Sequence, residues 1–138
     1  MGKQLNLVGD LSILEGIYQV YEPTYIKGLE SADSLHKTYI PIDIRLVAKR
    51  LGMNEHILFG RLRYHLDQKY RYTNADGSLV HLFCLEVGGE RHCIHFPYLA
   101  GIVSERQREM RRFMIPFTLS VIALMCSVAV PFIIKLFF

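Results

Sequence analysis

The chain has 138 residues and a net charge of +3, from 16 Lys and Arg against 13 Asp and Glu. This length excludes more than one small domain beside any other large feature. The net charge is too modest to indicate a partner by itself, so its placement along the chain has to supply that information.

The first element is predicted to be an amphipathic helix. Residues 12–15 have the spacing of a capping box, in which Ser12 caps the helix and Glu15 completes the box. Residues 24–31 are compatible with one or two further turns, and residues 31–37 with a polar loop. Apolar side chains recur at helical spacing as far as Pro23, and they are Ile13, Leu14, Ile17, Tyr18 and Tyr21.

A short strand and a capped helix are predicted next. Residues 39–42 form an apolar run that contains Pro41, which restricts a strand to the edge of a sheet. Asp43 is a good N-cap for the helix that follows, and Gly52 tolerates the left-handed conformation that ends it. One face of this helix is apolar and carries Ile44, Val47, Ala48 and Leu51.

A further helix, residues 54–69, begins after about three linking residues. Asn54 is predicted to cap it, and Leu58, Leu62 and Leu66 stack along its inward face. A projection at about 100° per residue points five side chains away from these leucines and puts Arg61 on the flank. The five are His56, Gly60, Arg63, Tyr64 and Asp67.

After Tyr70 the hydrophobic period changes to two, which predicts strands. Residues 79–87 and 90–98 alternate around Gly88-Gly89, a pair that supplies positive φ for a tight hairpin. The implied pairs are Val87–Glu90, Glu86–Arg91, Leu85–His92, Cys84–Cys93, Phe83–Ile94 and Leu82–His95. One face is then apolar and carries Phe83, Leu85, Val87, Ile94 and Phe96, together with His81 and His92.

The other face of this hairpin carries Cys84, Cys93 and, diagonally, His95. Counting outward from the loop predicts a non-hydrogen-bonded Cys84–Cys93 pair, close enough for the two sulfurs to share a zinc ion. Three ligands fall short of the four in a closed structural zinc site, and the CxxC knuckle is missing. A packed hairpin with reduced cysteines is therefore expected, and a thiol or metal sensor stays as a third hypothesis.

The C-terminal region is predicted to cross a membrane. Residues 113–134 carry no charge and at about 1.5 Å per residue reach roughly 33 Å, the thickness of a bilayer core. A buried helix of a soluble protein is the alternative, but such helices are shorter and keep a polar edge. The arginines expected at the membrane surface are Arg106, Arg108, Arg111 and Arg112.

The charges around this span predict its orientation. Arginines precede it and Lys135 follows it, so the positive-inside tendency places the N-terminal part in the cytoplasm at the cell (inner) membrane. The N-terminus does not resemble a signal peptide, which favours a single-pass tail anchor. In a cytoplasmic chain the cysteines, including Cys126 within the span, are expected as thiols.

The predicted organisation is a cytoplasmic domain of residues 1–98, a basic juxtamembrane helix of residues 99–112 and an anchor of residues 113–138. Within the anchor, Ala123 and Ser127 form a small-xxx-small pair, with Ser120 on nearly the same face. This pair permits a homodimer through the transmembrane helix.

From residue 11 to residue 98 the order is helix, short strand, helix, tight turn, helix and hairpin, which resembles the winged helix-turn-helix family. The motif IDIRLVAKRLGMNEHILFGRLRYHL, residues 42–66, carries the resemblance through Ala48, Leu51, Gly52 and Leu62. The resemblance implies an α+β fold, with a winged helix-turn-helix-like domain followed by a single transmembrane helix. In plan the chain is similar to membrane-tethered transcription regulators of bacteria, without their extracytoplasmic domain.

Such a domain would place the helix 54–69 in the major groove of DNA and Gly88-Gly89 at the tip of the wing. Residues 43–71 hold seven Lys and Arg against three Asp and Glu, and His56 and Arg63 are the expected base readers. The complete set of candidate DNA-binding residues is Arg45, Lys49, Arg50, His56, Arg61, Arg63, Tyr64, Lys69 and Arg71.

Two features oppose DNA binding. Asp67 projects from the face that would enter the groove, and Glu86 and Glu90 at the wing tip, beside the single Arg91, would be repelled by phosphate. The alternative function is a membrane-bound interaction module or accessory subunit that docks a protein partner through the same domain.

No enzyme is indicated by the sequence. It contains no phosphate-binding glycine loop, no nucleophile elbow and no HExxH pair, and no cofactor is expected. The prediction is therefore a non-enzymatic DNA-binding transcription regulator held at membrane lipid.

Overall fold

The computed structural model of the chain describes residues 7–30 and 38–137, so the predicted loop at 31–37 lies outside the described residues. The architecture is α+β, and it divides into two compact units, Met1–Val103 and Ser104–Phe138. The elements in chain order are α1 (Asp10–Glu30), β1 (Tyr39–Pro41), α2 (Ile44–Leu51), α3 (Glu55–Arg61), a π-helical turn (Leu62–Leu66), α4 (Asp67–Tyr70), β2 (Tyr72–Thr73), β3 (Leu79–Val80), β4 (Phe83–Val87), β5 (Glu90–His95) and α5 (Phe96–Phe137).

Helix α1 is longer at both ends than its sequence pattern predicts. It begins at Asp10, so Ser12 lies inside the helix and is not its N-cap. It also continues through Pro23, although proline removes a backbone donor there. The tertiary reason lies in the rings of Tyr18 and Tyr25, whose centroids are 5.4 and 4.4 Å from that of Phe96. These contacts hold the helix on both sides of the proline.

The two capped helices that follow are confirmed. Asp43 Oδ1 accepts hydrogen bonds from the amides of Arg45 and Leu46, at 2.9 and 3.2 Å, and Gly52 ends α2 with φ of 65°. Asn54 Oδ1 accepts the His56 amide at 2.9 Å at the start of α3. Local side-chain chemistry therefore fixes both helix starts, as capping residues are expected to do.

Residues 55–70, hereafter the central helix, run through α3, the π-helical turn and α4. At the turn the Asp67 amide donates to the Leu62 carbonyl, five residues back instead of four. In an α-helix, a side chain four residues further along is rotated by about 40° around the helix axis. The π-helical turn is wider, and this offsets the rotation. Side chains four apart therefore stay in line, and Leu58, Leu62 and Leu66 are all fully buried, as predicted.

Three strands form an antiparallel sheet in the order β1-β5-β4. The predicted edge position of β1 is confirmed, since Ile40 pairs with Ile94 of the central strand β5. The predicted hairpin register is confirmed at four pairs, which are Phe83–Ile94, Cys84–Cys93, Glu86–Arg91 and Val87–Glu90. A second small hairpin, β2 with β3, was missed because its strands have two residues each.

The apolar face of the hairpin differs from the prediction near the loop. His92 adopts φ of 56°, and its carbonyl accepts the Ile42 amide at 2.9 Å. The predicted Leu85–His92 pair is missing from the described ladder, and Leu85 is 44% exposed. A left-handed residue changes the direction of a strand, so simple alternation fails at this point. Leu82, expected on the opposite face from Phe83, is fully buried.

The core of the first unit extends into the start of α5. Leu99, Ile102 and Val103 are buried against the rest of the unit, which ends at Val103. The division at residue 98 into a cytoplasmic domain and a juxtamembrane helix stays a prediction. The buried members from the other elements include Ile13, Leu14, Ile17, Val47, Phe83 and Ile94.

The second unit is the remainder of α5. In the described part of the chain this helix alone has the length and composition of a membrane span, and its apolar window is fully exposed. Pro116 and Pro131 lie within it, and the hydroxyl of Ser120 donates to the Pro116 carbonyl at 2.9 Å. Ser127 likewise donates to the Leu124 carbonyl at 2.8 Å. The homodimer through Ala123 and Ser127 stays a prediction.

Candidate functional site

One flank of the central helix faces the start of α1. Arg61, His65 and Lys69, each four residues apart, all bond the Asp10 carboxylate, with His65 Nε2 at 2.9 Å and Lys69 Nζ at 3.3 Å. Arg61 also donates to the Val8 carbonyl. Burial of Asp10 acts to raise its pKa, but the bonds from His65, Arg61 and Lys69 outweigh burial and lower it to about 2. These three side chains are therefore engaged with Asp10.

The opposite flank faces the sheet and carries Phe59, Arg63 and Asp67. The Phe59 ring contacts Phe83, with centroids 6.1 Å apart, and Arg63, which is half-buried, lies between Phe59 and Asp67 at four-residue spacing on this flank. Asp67 is 2% exposed, and its Oδ1 accepts the Phe83 amide at 3.1 Å. Arg63 and Asp67 were both expected on the outward face, and this expectation is wrong.

The Asp67 carboxylate has a second partner in His81. Its Oδ2 lies 2.7 Å from Nδ1 of His81, whose side chain is partly exposed. The π-helical turn rotates Asp67 inward, to the position where it bridges the helix and strand β4. His81, predicted to lie on an apolar face, is thus part of a polar link between the two elements.

The outward face of the central helix consists of His56, Gly60, Tyr64 and Gln68. The side chain of His56 is 87% exposed and Tyr64 is 70% exposed, while Gln68 is also exposed. This stripe carries no acidic residue and no Lys or Arg, because the charged side chains of residues 61–69 turn to the two flanks. His56 and Tyr64 are where the sequence predicted them.

The remaining predicted DNA-binding residues are exposed around α2 and after α4. Arg45 Nε lies 3.0 Å from Glu55 Oε2, and Arg50 donates to the Gln19 side chain at 3.4 Å. Lys49 and Arg71 are exposed. The predicted basic cluster therefore separates into a group engaged with Asp10, a half-buried Arg63 and an exposed set formed by Arg45, Lys49, Arg50 and Arg71.

The tip of the β4–β5 hairpin exposes the acidic side chains that the sequence predicted there. Glu86, Glu90 and Arg91 are all exposed, and Glu86 pairs across the hairpin with Arg91. Gly88 and Gly89 adopt φ of 58° and 89°, as the two-residue loop requires. Two carboxylates against one guanidinium leave this tip unsuited to contact with phosphate.

The cysteine face of the hairpin is less reactive than its composition indicates. The His95 amide donates to the Leu82 carbonyl at 2.9 Å, so by alternation Cys84–Cys93 is a hydrogen-bonded pair and not the predicted type. Burial raises the pKa of both thiols, which lowers their thiolate fraction. Among the described residues, no three His, Cys, Asp or Glu side chains are arranged to hold a metal ion.

His95, the third candidate ligand, is used for packing. Its Nδ1 accepts the Tyr98 amide at 3.2 Å, and its ring meets that of Tyr39 at a centroid distance of 4.9 Å. Burial lowers the pKa of His95. Burial, followed by the nearby Cys84 thiol, raises the pKa of Tyr39 to about 12. These groups favour neutral states and a structural role.

An open cleft that the sequence reading missed lies where α1, α2, α3 and β5 meet. Its volume is about 750 Å³. Tyr21, Ile42 and Phe59 form much of its apolar wall, and Arg45 and Glu55 are among its charged lining residues. Five separate elements contribute to it, since Pro41 of β1 also lines it, and no single local motif predicts it.

The predicted membrane-surface arginines lie in the second unit. Arg106 bonds Glu109 at 3.0 Å, and Arg108, Arg111 and Arg112 are exposed along α5.

Comparisons with protein-family models, with curated proteins and with solved structures return no match to this chain. Inferences about function therefore rest on the residues described above.

Proposed function

We propose that the chain is a membrane-anchored, non-enzymatic regulator that binds DNA through the central helix. The observation that carries the proposal is the order of elements, in which α1, β1, α2 and the central helix precede the β4–β5 hairpin and the sheet order is β1-β5-β4. This order resembles that of a winged helix-turn-helix domain, in which the second helix of the pair would enter the major groove.

The position of Asp67 supports the proposal. An outward carboxylate would be repelled by the phosphates that line a groove, but Asp67 is buried against the Phe83 amide and His81. The outward stripe of His56, Gly60, Tyr64 and Gln68 has no negative charge to oppose a duplex.

Phosphate contacts are assigned to the exposed cations Lys49, Arg50 and Arg71. Arg61 and Lys69 are left out of this set because both bond the Asp10 carboxylate, whose single negative charge offsets part of their positive charge. The acidic hairpin tip is repelled by the phosphate backbone of DNA. The central helix, and not the hairpin, is therefore the principal DNA contact. Because only three cations are assigned, we expect binding of modest strength with a shallow salt dependence, a slope of about −3 in log affinity against log salt.

The anchor is α5, and its basic segment favours a cytoplasmic location for the first unit at the cell membrane. Arg108, Arg111 and Arg112 precede the apolar span and attract anionic headgroups on the cytoplasmic leaflet. Tethering confines the domain to DNA that approaches the membrane and raises its local concentration there.

The test uses the full chain in nanodiscs of zwitterionic phosphatidylcholine, titrated onto a fluorescein-labelled duplex at about 50 and 200 mM salt. Lys49→Ala is expected to weaken binding and to lower the salt slope by about one. Lys27→Ala removes the same charge from the last turn of α1 and is expected to change neither quantity. Absence of salt-dependent binding at the lower salt concentration contradicts the proposal.

A second candidate, a protein-docking adaptor, is favoured by the cleft. Its volume of about 750 Å³ and its apolar wall would accept the anchor side chain of a partner. Affinity purification of the full chain tests it, with His56→Trp to obstruct the cleft rim and Lys27→Ala as control. A stoichiometric protein that His56→Trp releases and Lys27→Ala retains supports an adaptor; a bound set unaffected by either change contradicts it.

A further inference from the structure

We infer that the outward stripe of the central helix reads A·T base pairs in the major groove, a conclusion that rests on the proposed function and specifies its target. The stripe is formed by His56, Gly60, Tyr64 and Gln68, and it contains no Lys, Arg, Asp or Glu. Its chemistry, and not the overall basic character of the segment, determines which bases it can recognise.

The central helix has turned its arginines away from this stripe. Guanine is most often read by a bidentate arginine or lysine on O6 and N7. Arg61 bonds Asp10 and Val8, and Arg63 is half-buried on the flank that carries Phe59 and Asp67. Lys69 also bonds Asp10. Along residues 55–70, the usual readers of guanine are therefore held on the flanks.

The groups that remain outward match adenine and thymine. The carboxamide of Gln68 can donate to N7 and accept from N6 of adenine, the bidentate pairing that glutamine and asparagine make. The ring of Tyr64, 70% exposed, offers apolar surface to the C5 methyl group of thymine. Both features are available in the major groove, which is wide enough to admit a helix.

Gly60 supports close approach of this stripe to the base edges. A glycine within a helix lowers its stability, and here packing gives no reason for it, since a Cβ added at Gly60 meets no atom within 4 Å. The missing side chain lets the backbone approach the groove floor between His56 and Tyr64. From residue 60 to residue 68 the helix rises about 12 Å, which spans three to four base pairs at about 3.4 Å each.

The cations around the stripe supply charge without sequence preference. Lys49, Arg50 and Arg71 are exposed on the surrounding surface, so a duplex of any composition gains the same phosphate contacts. Discrimination between A·T and G·C then falls to Gln68 and Tyr64, and these two residues can be changed without disturbing the core.

The experiment compares two duplexes of equal length and charge, one with an A·T core and one with a G·C core, against the full chain in phosphatidylcholine nanodiscs. The A·T duplex is expected to bind about tenfold more tightly. Gln68→Ala is expected to weaken A·T binding about tenfold and leave G·C binding unchanged. Lys27→Ala, in the last turn of α1, is the control and is expected to preserve the preference.

Substitution of 7-deazaadenine in the A·T core distinguishes base reading from groove shape. It removes the N7 acceptor from the major groove and leaves the minor groove intact, so the preference is expected to disappear. Equal affinities, a G·C preference, a preference that survives 7-deazaadenine or one that survives Gln68→Ala each overturns the A·T inference while DNA binding stands. Failure of both duplexes to bind overturns the proposed function and this inference together.

Discussion

The two flanks of the central helix each hold a carboxylate, and the two carboxylates are stabilised in different ways. Asp67 is buried, and its partners are the Phe83 amide and the His81 ring. Asp10 is partly exposed, and three side chains of the helix surround it. Asp67 therefore relies on hydrogen bonds in a dry interior, whereas Asp10 relies on charge at a wet surface.

This difference shows that a basic segment is not the same as a basic surface. Residues 43–71 contain seven Lys and Arg, but Arg61 and Lys69 serve Asp10 and Arg63 lies against the sheet. Part of the positive charge of this segment therefore forms ion pairs that join the central helix to α1. The surface available to a partner is smaller and more neutral than the composition indicates.

The largest expected effect comes from Asp67→Ala, which leaves the buried Phe83 amide and the His81 ring without their acceptor. We expect a loss of about 3 kcal/mol in the free energy of unfolding. Urea unfolding in non-ionic micelles, followed by tyrosine fluorescence, measures it, because all eight tyrosines lie between residues 18 and 98 and there is no tryptophan. A loss no greater than that of Glu105→Gln, an exposed change in the second unit, contradicts the role of Asp67.

A smaller effect is expected for Asp10→Asn, which keeps the size of the side chain and removes its charge. Partial exposure limits the cost, and we expect a loss of about 1 to 2 kcal/mol by the same unfolding measurement. An equal loss of unfolding free energy for Asp10→Asn and Asp67→Ala would contradict the proposed difference between the two carboxylates.

Acid should weaken the Asp10 contacts in a defined range. Its pKa is about 2 in the folded chain and 3.8 as the ordinary value, so the unfolded chain binds the proton first. The stability that Asp10 contributes is complete above about pH 4 and is lost as the pH falls towards 2. The difference in unfolding free energy between the parent chain and Asp10→Asn should shrink over this range; a constant difference contradicts the assignment.

The smallest expected effect is that of His65→Ala, since Arg61 and Lys69 still hold Asp10. We expect a loss of about 0.3 to 0.5 kcal/mol at low salt, which about 1 M salt largely removes by screening. The cost of Asp67→Ala should change much less with salt, because buried groups are poorly screened. Equal salt sensitivity of the two variants would remove the distinction between the flanks.

Much of the fold was readable from short patterns of residues. Asp43 and Asn54 cap helices because their side chains reach amides two or three residues away, which is a local matter. The leucines at 58, 62 and 66 and the glycines at 88 and 89 likewise determine a buried stripe and a tight loop. Local sequence patterns were therefore sufficient to predict the start of α2, the buried leucines of the central helix and the register of the hairpin.

The rest depended on contacts between distant segments. Helix α1 passes Pro23 because Phe96, more than seventy residues away, holds its rings. The cleft arises where five elements meet, and the side chains of residues 61, 65 and 69 bond Asp10, more than fifty residues away along the chain. Local sequence patterns cannot predict these contacts, because the residues that meet are far apart along the chain.

The sequence by itself determined where α2 and α3 start, which leucines of the central helix are buried, how the hairpin strands pair and which segment is apolar enough to cross a membrane. The tertiary structure decided which side chains of the central helix face outward. The physical reason is the π-helical turn at Leu62–Leu66, which offsets the drift of an α-helix and turns Asp67 into the interior, where the Phe83 amide and His81 receive it.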